Sequence, residues 1–388
     1  MKLGKSILEL YPPGYSEAEV PAYRLPEIGS SAETRVLFRD HMFGHLPIGT
    51  PQSRVDVFDR EDQALGGMAR RRQLRVDLST PSGQFGFTVL VYLPASAVSP
   101  SPLFLGLNFM GNHTVHADLS IALPPSWSPP DEKGEGTWAA EKKRGSLAYR
   151  WPLETLLKRG YGLATVYCGD FAPDDPGHVG EGVLRLLPVS GVSDETRGGA
   201  IAAWAWGLSR ALDALATLPE IDANRVALVG HSRMGKTALW AGACDERFPL
   251  VISNNSGAGG AALSRRRFGE RLIHLNGQFP HWFSKAFRRY NEREAELPFD
   301  QHQLLALMAP RAVYVASADE DRWADPRGEY LALVAAASAW GTSLPPDTPP
   351  VNQPVHRGRL GYHLRPGSHE ILEYDWQHYL SFADQLWK

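Results

Sequence analysis

Two rhythms of apolar residues alternate along this chain. Short unbroken apolar runs predict buried strands at 103–108, 162–167, 226–229, 250–253, 312–316 and 360–364. Between them, apolar residues spaced three and four apart predict helices at 151–158, 195–217, 236–243, 326–340 and 376–386. Strand and helix in alternation imply an α/β fold: a three-layer αβα sandwich with a mainly parallel sheet covered on both faces. Ahead of these elements, residues 73–78 and 85–93 alternate apolar and polar around Thr80-Pro81-Ser82-Gly83, the pattern of an antiparallel hairpin. Residues 1–70 are proline-rich and mixed in polarity, with one helical candidate at 32–43, and are expected to wrap the outside of a single catalytic domain spanning 1–388. Two stretches without strong period, 124–145 and 264–300, read as insertions. The second is basic and aromatic and falls between two strands, where insertions above strand ends commonly build a substrate site.

The most informative junction is the strand at 226–229 running into Gly230-His231-Ser232-Arg233-Met234-Gly235-Lys236 and then into a helix-forming segment. A serine on so sharp a turn has its hydroxyl lifted from the backbone, and the helix N-terminus aims N–H groups at any oxyanion formed beside it. Ser232 therefore reads as the nucleophile of an α/β-hydrolase, although the second glycine comes one residue later than in G-x-S-x-G. The competing reading is an ordinary turn closed by a capping serine.

A serine nucleophile needs a base, and the base needs an acid to hold its tautomer. The expected chain order is serine, acid, histidine. Of the downstream histidines, His369 follows the last predicted strand in Arg365-Pro366-Gly367-Ser368-His369-Glu370 and is the first candidate. His363 lies inside that strand, a more distant second, and His378 falls on the terminal helix. After the strand at 312–316 the acids Asp319, Glu320, Asp321 and Asp325 crowd one loop. Asp325, next to Pro326, suits a helix cap; the residues alone leave Asp319, Glu320 and Asp321 open.

Composition narrows the partners. Across 388 residues, 40 basic and 43 acidic side chains give a formal charge of −3 with no long run of one sign, so neither nucleic acid nor an anionic membrane is an expected partner. Eleven tryptophans and thirteen tyrosines suit sugar or aromatic ligands, and would equally fill a large core. Cys168 and Cys244 lie in separate segments and are expected to be buried free thiols. No run approaches the ~20 apolar residues of a membrane span, and Met1-Lys2-Leu3-Gly4-Lys5 is not followed by a signal-peptide core. The pairs His113/His116 and His41/His45 could each place two imidazoles together, but no acidic or cysteine cluster accompanies them, and no metal is expected.

Four segments together resemble the glucuronoyl esterases of carbohydrate esterase family 15, the bacterial branch more than the fungal one. They are Leu107-Asn108-Phe109-Met110-Gly111-Asn112-His113-Thr114, the serine turn itself, Ser256-Gly257-Ala258-Gly259-Gly260, and Tyr362-His363-Leu364-Arg365-Pro366-Gly367-Ser368-His369. The likeness runs from Pro21-Ala22-Tyr23-Arg24-Leu25-Pro26 to the terminal helix, and the family's G-x-S-R-x-G-K turn accounts for the late glycine. The resemblance implies cleavage of the ester between 4-O-methyl glucuronic acid on xylan and an alcohol of lignin, without a cofactor. It also implies that Arg233 joins the oxyanion donors, that Lys236 and Glu270 bind sugar hydroxyls, and that Trp323 packs over the uronate.

In the fungal pattern the acid immediately precedes the Ser-Gly-Ala-Gly-Gly stretch, and here that position is Asn255. Bacterial relatives place it after the penultimate strand in an Asp-x-Trp arrangement, which matches Asp321-Arg322-Trp323 and selects Asp321, with Glu320 or Asp319 as fallback. The alternatives are an acetyl xylan esterase or other carbohydrate-directed serine esterase, and, in another class, a sugar-binding protein without catalysis. A monomer is expected. A polymeric plant substrate argues for a secreted or periplasmic protein while the visible N-terminus argues for no export.

Overall fold

The structure is a computed structural model that describes residues 16–46, 48, 51–131, 134, 136–186 and 192–388. The expectation on Met1–Lys5 lies outside the described residues. Ten strands form one sheet: β1 (Gln52–Gln63), β2 (Ala69–Thr80), β3 (Gly83–Pro94), β4 (Ser101–Asn108), β5 (Gly162–Tyr167), β6 (Ile221–His231), β7 (Leu250–Asn254), β8 (Ala312–Ala318), β9 (Val355–Arg357) and β10 (Leu360–Arg365). Their order is β1-β2-β3-β5-β4-β6-β7-β8-β10-β9. From β5 through β4, β6, β7 and β8 to β10 every pairing is parallel, while β1–β3 and β9 add antiparallel margins. Every residue of β5, β7, β8 and β10 is buried, as continuous apolar runs require when both faces of a sheet are covered.

The helices are α1 (Ser31–Phe38), α2 (Leu153–Lys158), α3 (Ala200–Leu215), α4 (Arg233–Cys244), α5 (Leu272–Gln278), α6 (Gln301–Ala306), α7 (Pro326–Ala336) and α8 (Glu373–Trp387), with short single turns besides. On one side of the sheet, α3, α4 and α7 bury Trp204, Leu208, Leu239, Tyr330 and Leu333 in the larger apolar layer. On the other, α2 and α8 bury Leu153, Leu156, Trp376, Tyr379 and Leu380. The indoles of Trp204 and Trp376 are wholly buried, and each N–H donates to a backbone carbonyl, Ala172 O at 2.8 Å and Arg150 O at 2.9 Å. The three-layer arrangement expected from the apolar rhythm is present.

Two expectations need correction. The segment 1–70 does not wrap throughout, because β1 pairs along β2 as an edge strand. Its period is weak in the sequence since only one face of this edge strand is partly covered, where Val55 and Val57 pack against the core, and the strand carries a register shift between Val57 and Asp59. The insertion 264–300 contains α5 and buries Trp282, Phe283 and Phe287. Cys168 is buried, but Cys244, at the end of α4, is exposed; both are free.

Candidate active site

The strand-to-helix junction at β6 and α4 has the geometry its sequence implies. Ser232 adopts φ 58° and ψ −129°, a positive-φ conformation that costs a non-glycine residue free energy and is held by its surroundings. Its N–H donates to Asn254 O at 2.9 Å, tying the turn to the end of β7. A Cβ on Gly230 would lie 1.9 Å from Met234 O, so only glycine lets the chain reverse there. The late glycine has its own reason: a Cβ on Gly235 would meet Ser256 Cβ at 2.9 Å, where the segment after β7 packs against the first turn of α4.

His369 sits on the loop after β10. Its Nδ1 donates to Asp321 Oδ2 at 2.5 Å, and its ring lies 4.7 Å, centroid to centroid, from His231, the neighbour of Ser232. The Asp321 side chain is 5% exposed and the His369 side chain 33%, so one end of the imidazole is held in the protein while the ring remains open to the site. The neighbouring acids do other things. Asp319 Oδ1 accepts from Gly367 N at 2.9 Å, joining the acid loop to the histidine loop, and Glu320 is exposed. Asp325 caps α7 through Gly328 N at 2.9 Å and pairs with Arg266.

His363 is buried in β10, where Nε2 donates to Asp375 Oδ1 at 2.7 Å and Nδ1 accepts from Tyr314 at 3.0 Å. Its ring is 4.9 Å from His378 on α8. Asn255 occupies its position with φ 45° and donates to Glu370 O at 3.0 Å. Of the other histidine pairs, His113 bonds Trp138 O, His116 accepts from Asp118 N, His41 bonds the Tyr290 hydroxyl and His45 pairs with Asp40.

Arg233 opens α4. Its Nε lies 2.6 Å from Asp174 Oδ2, an ion pair whose N–H is not aligned as a hydrogen bond. The guanidinium carbon stands 4.4 Å over the Phe109 ring and 5.8 Å over the Trp282 ring. Asp174 Oδ1 accepts from Trp282 Nε1 at 2.6 Å and pairs with His281 Nε2 at 2.9 Å. Burial opposes ionisation of Asp174, but the Arg233 charge and these donors outweigh it and hold its carboxyl below the usual range.

Lys236 is 4% exposed, far from the surface role its place on a helix would suggest. Its ammonium donates to Ser256 O at 2.5 Å and Ala258 O at 2.7 Å and stands 3.6 Å from Glu270 Oε2. Burial pushes the lysine down and the Glu270 carboxyl up, each opposed by the other's charge. Glu270 N donates to Trp323 O at 2.8 Å, and the Trp323 ring lies 5.2 Å from His274. The structure thus brings Ser232, Arg233 and Lys236 to the head of α4, and His369 with Asp321 and Glu270 with Trp323 to the loops around it.

Three residues at the site carry no signal in the sequence reading: Asp174, Glu329 and Arg365. Glu329 on α7 is fully buried and accepts from Ser256 N at 2.8 Å, Gly257 N at 2.9 Å and Ser317 Oγ at 2.6 Å. It anchors the segment whose carbonyls hold Lys236, and burial pushes its carboxyl up to about 7 despite those donors. Arg365, 2% exposed, donates to Pro366 O at 2.9 Å, Ser368 O at 2.8 Å and Glu370 O at 2.5 Å, bracketing His369, while Asp375 Oδ2 accepts from its Nε at 3.1 Å. Each of these partners is distant in sequence or made by backbone, so spacing could not reveal them.

Residues 192–343 match the family described as "Glucuronyl esterase, fungi". A carbohydrate esterase from an unknown prokaryotic organism is 43% identical over 95% of this chain and 91% of its own length. A glucuronoyl esterase from Solibacter usitatus superposes with a TM-score of 0.89 at 41% identity, covering 96% of this chain and 100% of that one. A structure described as a promiscuous CE15 esterase from the marine bacterial metagenome gives 0.86 at 42% identity, covering 96% and 99%. Among the described residues, no helix is long and apolar enough to cross a membrane. With the strand-to-helix turn at Ser232, the loops around it and these likenesses over nearly the whole length, the chain belongs to carbohydrate esterase family 15, the glucuronoyl esterases, and is a carboxylic ester hydrolase of the α/β-hydrolase fold.

Proposed function

We propose that this esterase cleaves the ester joining the carboxyl of (4-O-methyl) glucuronic acid on glucuronoxylan to an alcohol of lignin, using Ser232, His369 and Asp321 as its triad. The observation that carries the reading is the buried Lys236–Glu270 pair, 3.6 Å apart and tied to Trp323 through Glu270 N, with its charges felt by the His369–Asp321 pair. A small acyl group would need only an apolar slot. A charged donor and acceptor with an aromatic wall instead suit a polyhydroxylated ring.

In the first step His369 Nε2 takes the Ser232 proton as Oγ attacks the uronate carbonyl, and Asp321 stabilises the imidazolium. The Arg233 guanidinium and the first N–H groups of α4, which have no partner inside the helix, receive the oxyanion. Collapse of the tetrahedral intermediate breaks the bond to the alcohol, which leaves with the proton from His369. Water then gives its proton to the same nitrogen as it attacks the acyl-enzyme, releasing the uronic acid and restoring Ser232. The whole chain, 1–388, acts as one catalytic domain and as a monomer.

The test is hydrolysis of benzyl glucuronate beside acetylated xylose and p-nitrophenyl acetate, with Ser232→Ala as control. Ser232→Ala should fold normally and lose turnover on all three. The wild type should prefer the glucuronate ester; preference for the acetyl esters would retain the nucleophile and discard the uronate reading in favour of an acetyl esterase.

A further inference from the structure

We infer that Asp174 is a positioning residue that fixes Arg233 beside the nucleophile and offsets its charge so that the anionic product is not retained. The inference rests on the function proposed above. Asp174 Oδ2 lies 2.6 Å from Arg233 Nε, and the carboxylate is itself held through Oδ1 by Trp282 Nε1 at 2.6 Å and His281 Nε2 at 2.9 Å. The guanidinium carbon stands over the Phe109 and Trp282 rings, with centroid distances of 4.4 and 5.8 Å. Among the described residues its terminal nitrogens have no hydrogen-bond partner. With no hydrogen bond of their own, the outer N–H groups stay available to the reacting carbonyl.

The charges explain why a carboxylate belongs there. The ester substrate is neutral. In the transition state the oxyanion forms together with the His369 imidazolium, so the added charges cancel. The uronate product is an anion, at the spot where an uncompensated arginine would hold a carboxylate strongly. Asp174 therefore raises the free energy of bound product more than that of the transition state, and this differential favours turnover.

The experiment compares inhibition of benzyl glucuronate hydrolysis by D-glucuronate and by neutral D-glucuronamide. The wild type should bind the two within about tenfold of each other. Asp174→Asn, nearly isosteric, should tighten D-glucuronate by about tenfold or more while leaving the amide unchanged, and should lower kcat. Asp174→Glu, keeping the charge, should keep the wild-type ratio. A purely structural role would weaken both inhibitors together, so an unchanged ratio in Asp174→Asn overturns the inference. If that variant does not fold, the wild type decides: a preference for the anion beyond about tenfold is incompatible with a compensated arginine. Failure of the wild type to cleave benzyl glucuronate would instead remove the proposed function. The same comparison would then be run with acetate and acetamide against an acetyl ester.

Discussion

Asp319, Glu320 and Asp321 are consecutive, yet their side chains have three fates: one bonds the neighbouring loop's backbone, one is exposed, and one meets His369. Sequence alone could place an acid on this loop but not choose among the three, because the choice depends on where a residue 48 positions away presents its nitrogen. Replacing Asp321 by Asn should lower kcat on benzyl glucuronate by about 10³–10⁴-fold, the loss expected when a catalytic histidine is left in the wrong tautomer. Asp319→Asn should cost less than about tenfold, since Gly367 N keeps an amide oxygen to donate to. Steady-state rates for the two variants measured side by side check the assignment.

At the level of elements, the site is assembled at the carboxyl ends of β6, β8 and β10, and two of the segments around it have a buried anchor. For the histidine loop the anchor is Arg365. Replacing it by Met leaves three backbone carbonyls without their donor and takes one cation from Asp375, so urea unfolding should show a loss of about 3–5 kcal/mol. Turnover of the remaining folded enzyme should fall as His369 loses its bracket. The segment after β7 is anchored by Glu329, whose carboxyl rises from the ordinary 4.5 to about 7 on folding. The folded state therefore holds this proton where the unfolded chain releases it. Its contribution to stability is full below about pH 4.5 and is lost as pH climbs through about 7, by up to about 3 kcal/mol. Glu329→Gln, which can accept the two backbone N–H groups and donate to Ser317, should flatten the thermal midpoint between pH 5 and 7.5 compared with wild type. Neither anchor could be read from spacing. The strands they support could be, because burial on both faces writes an unbroken apolar run into the sequence, as it does for β5 and β8.

On the scale of the whole molecule, the legible part of the fold was its middle. The parallel strands, the helices on both faces and the hairpin of β2 and β3 follow from local periodicity and one turn. The margins did not: β1 is exposed along most of its length and β9 has three residues, too few for a period to register. Those same two properties decide how the protein meets its own copies. A sheet edge offers unpaired N–H and C=O groups to any extended chain. At one margin the template is too short to use. At the other, Arg54, Asp56, Asp59, Arg60, Glu61 and Asp62 line β1 with charge, so a strand added there would have to strip these side chains of water. Both flanks of the described sheet thus resist strand addition, a barrier to growing the sheet from one copy into the next.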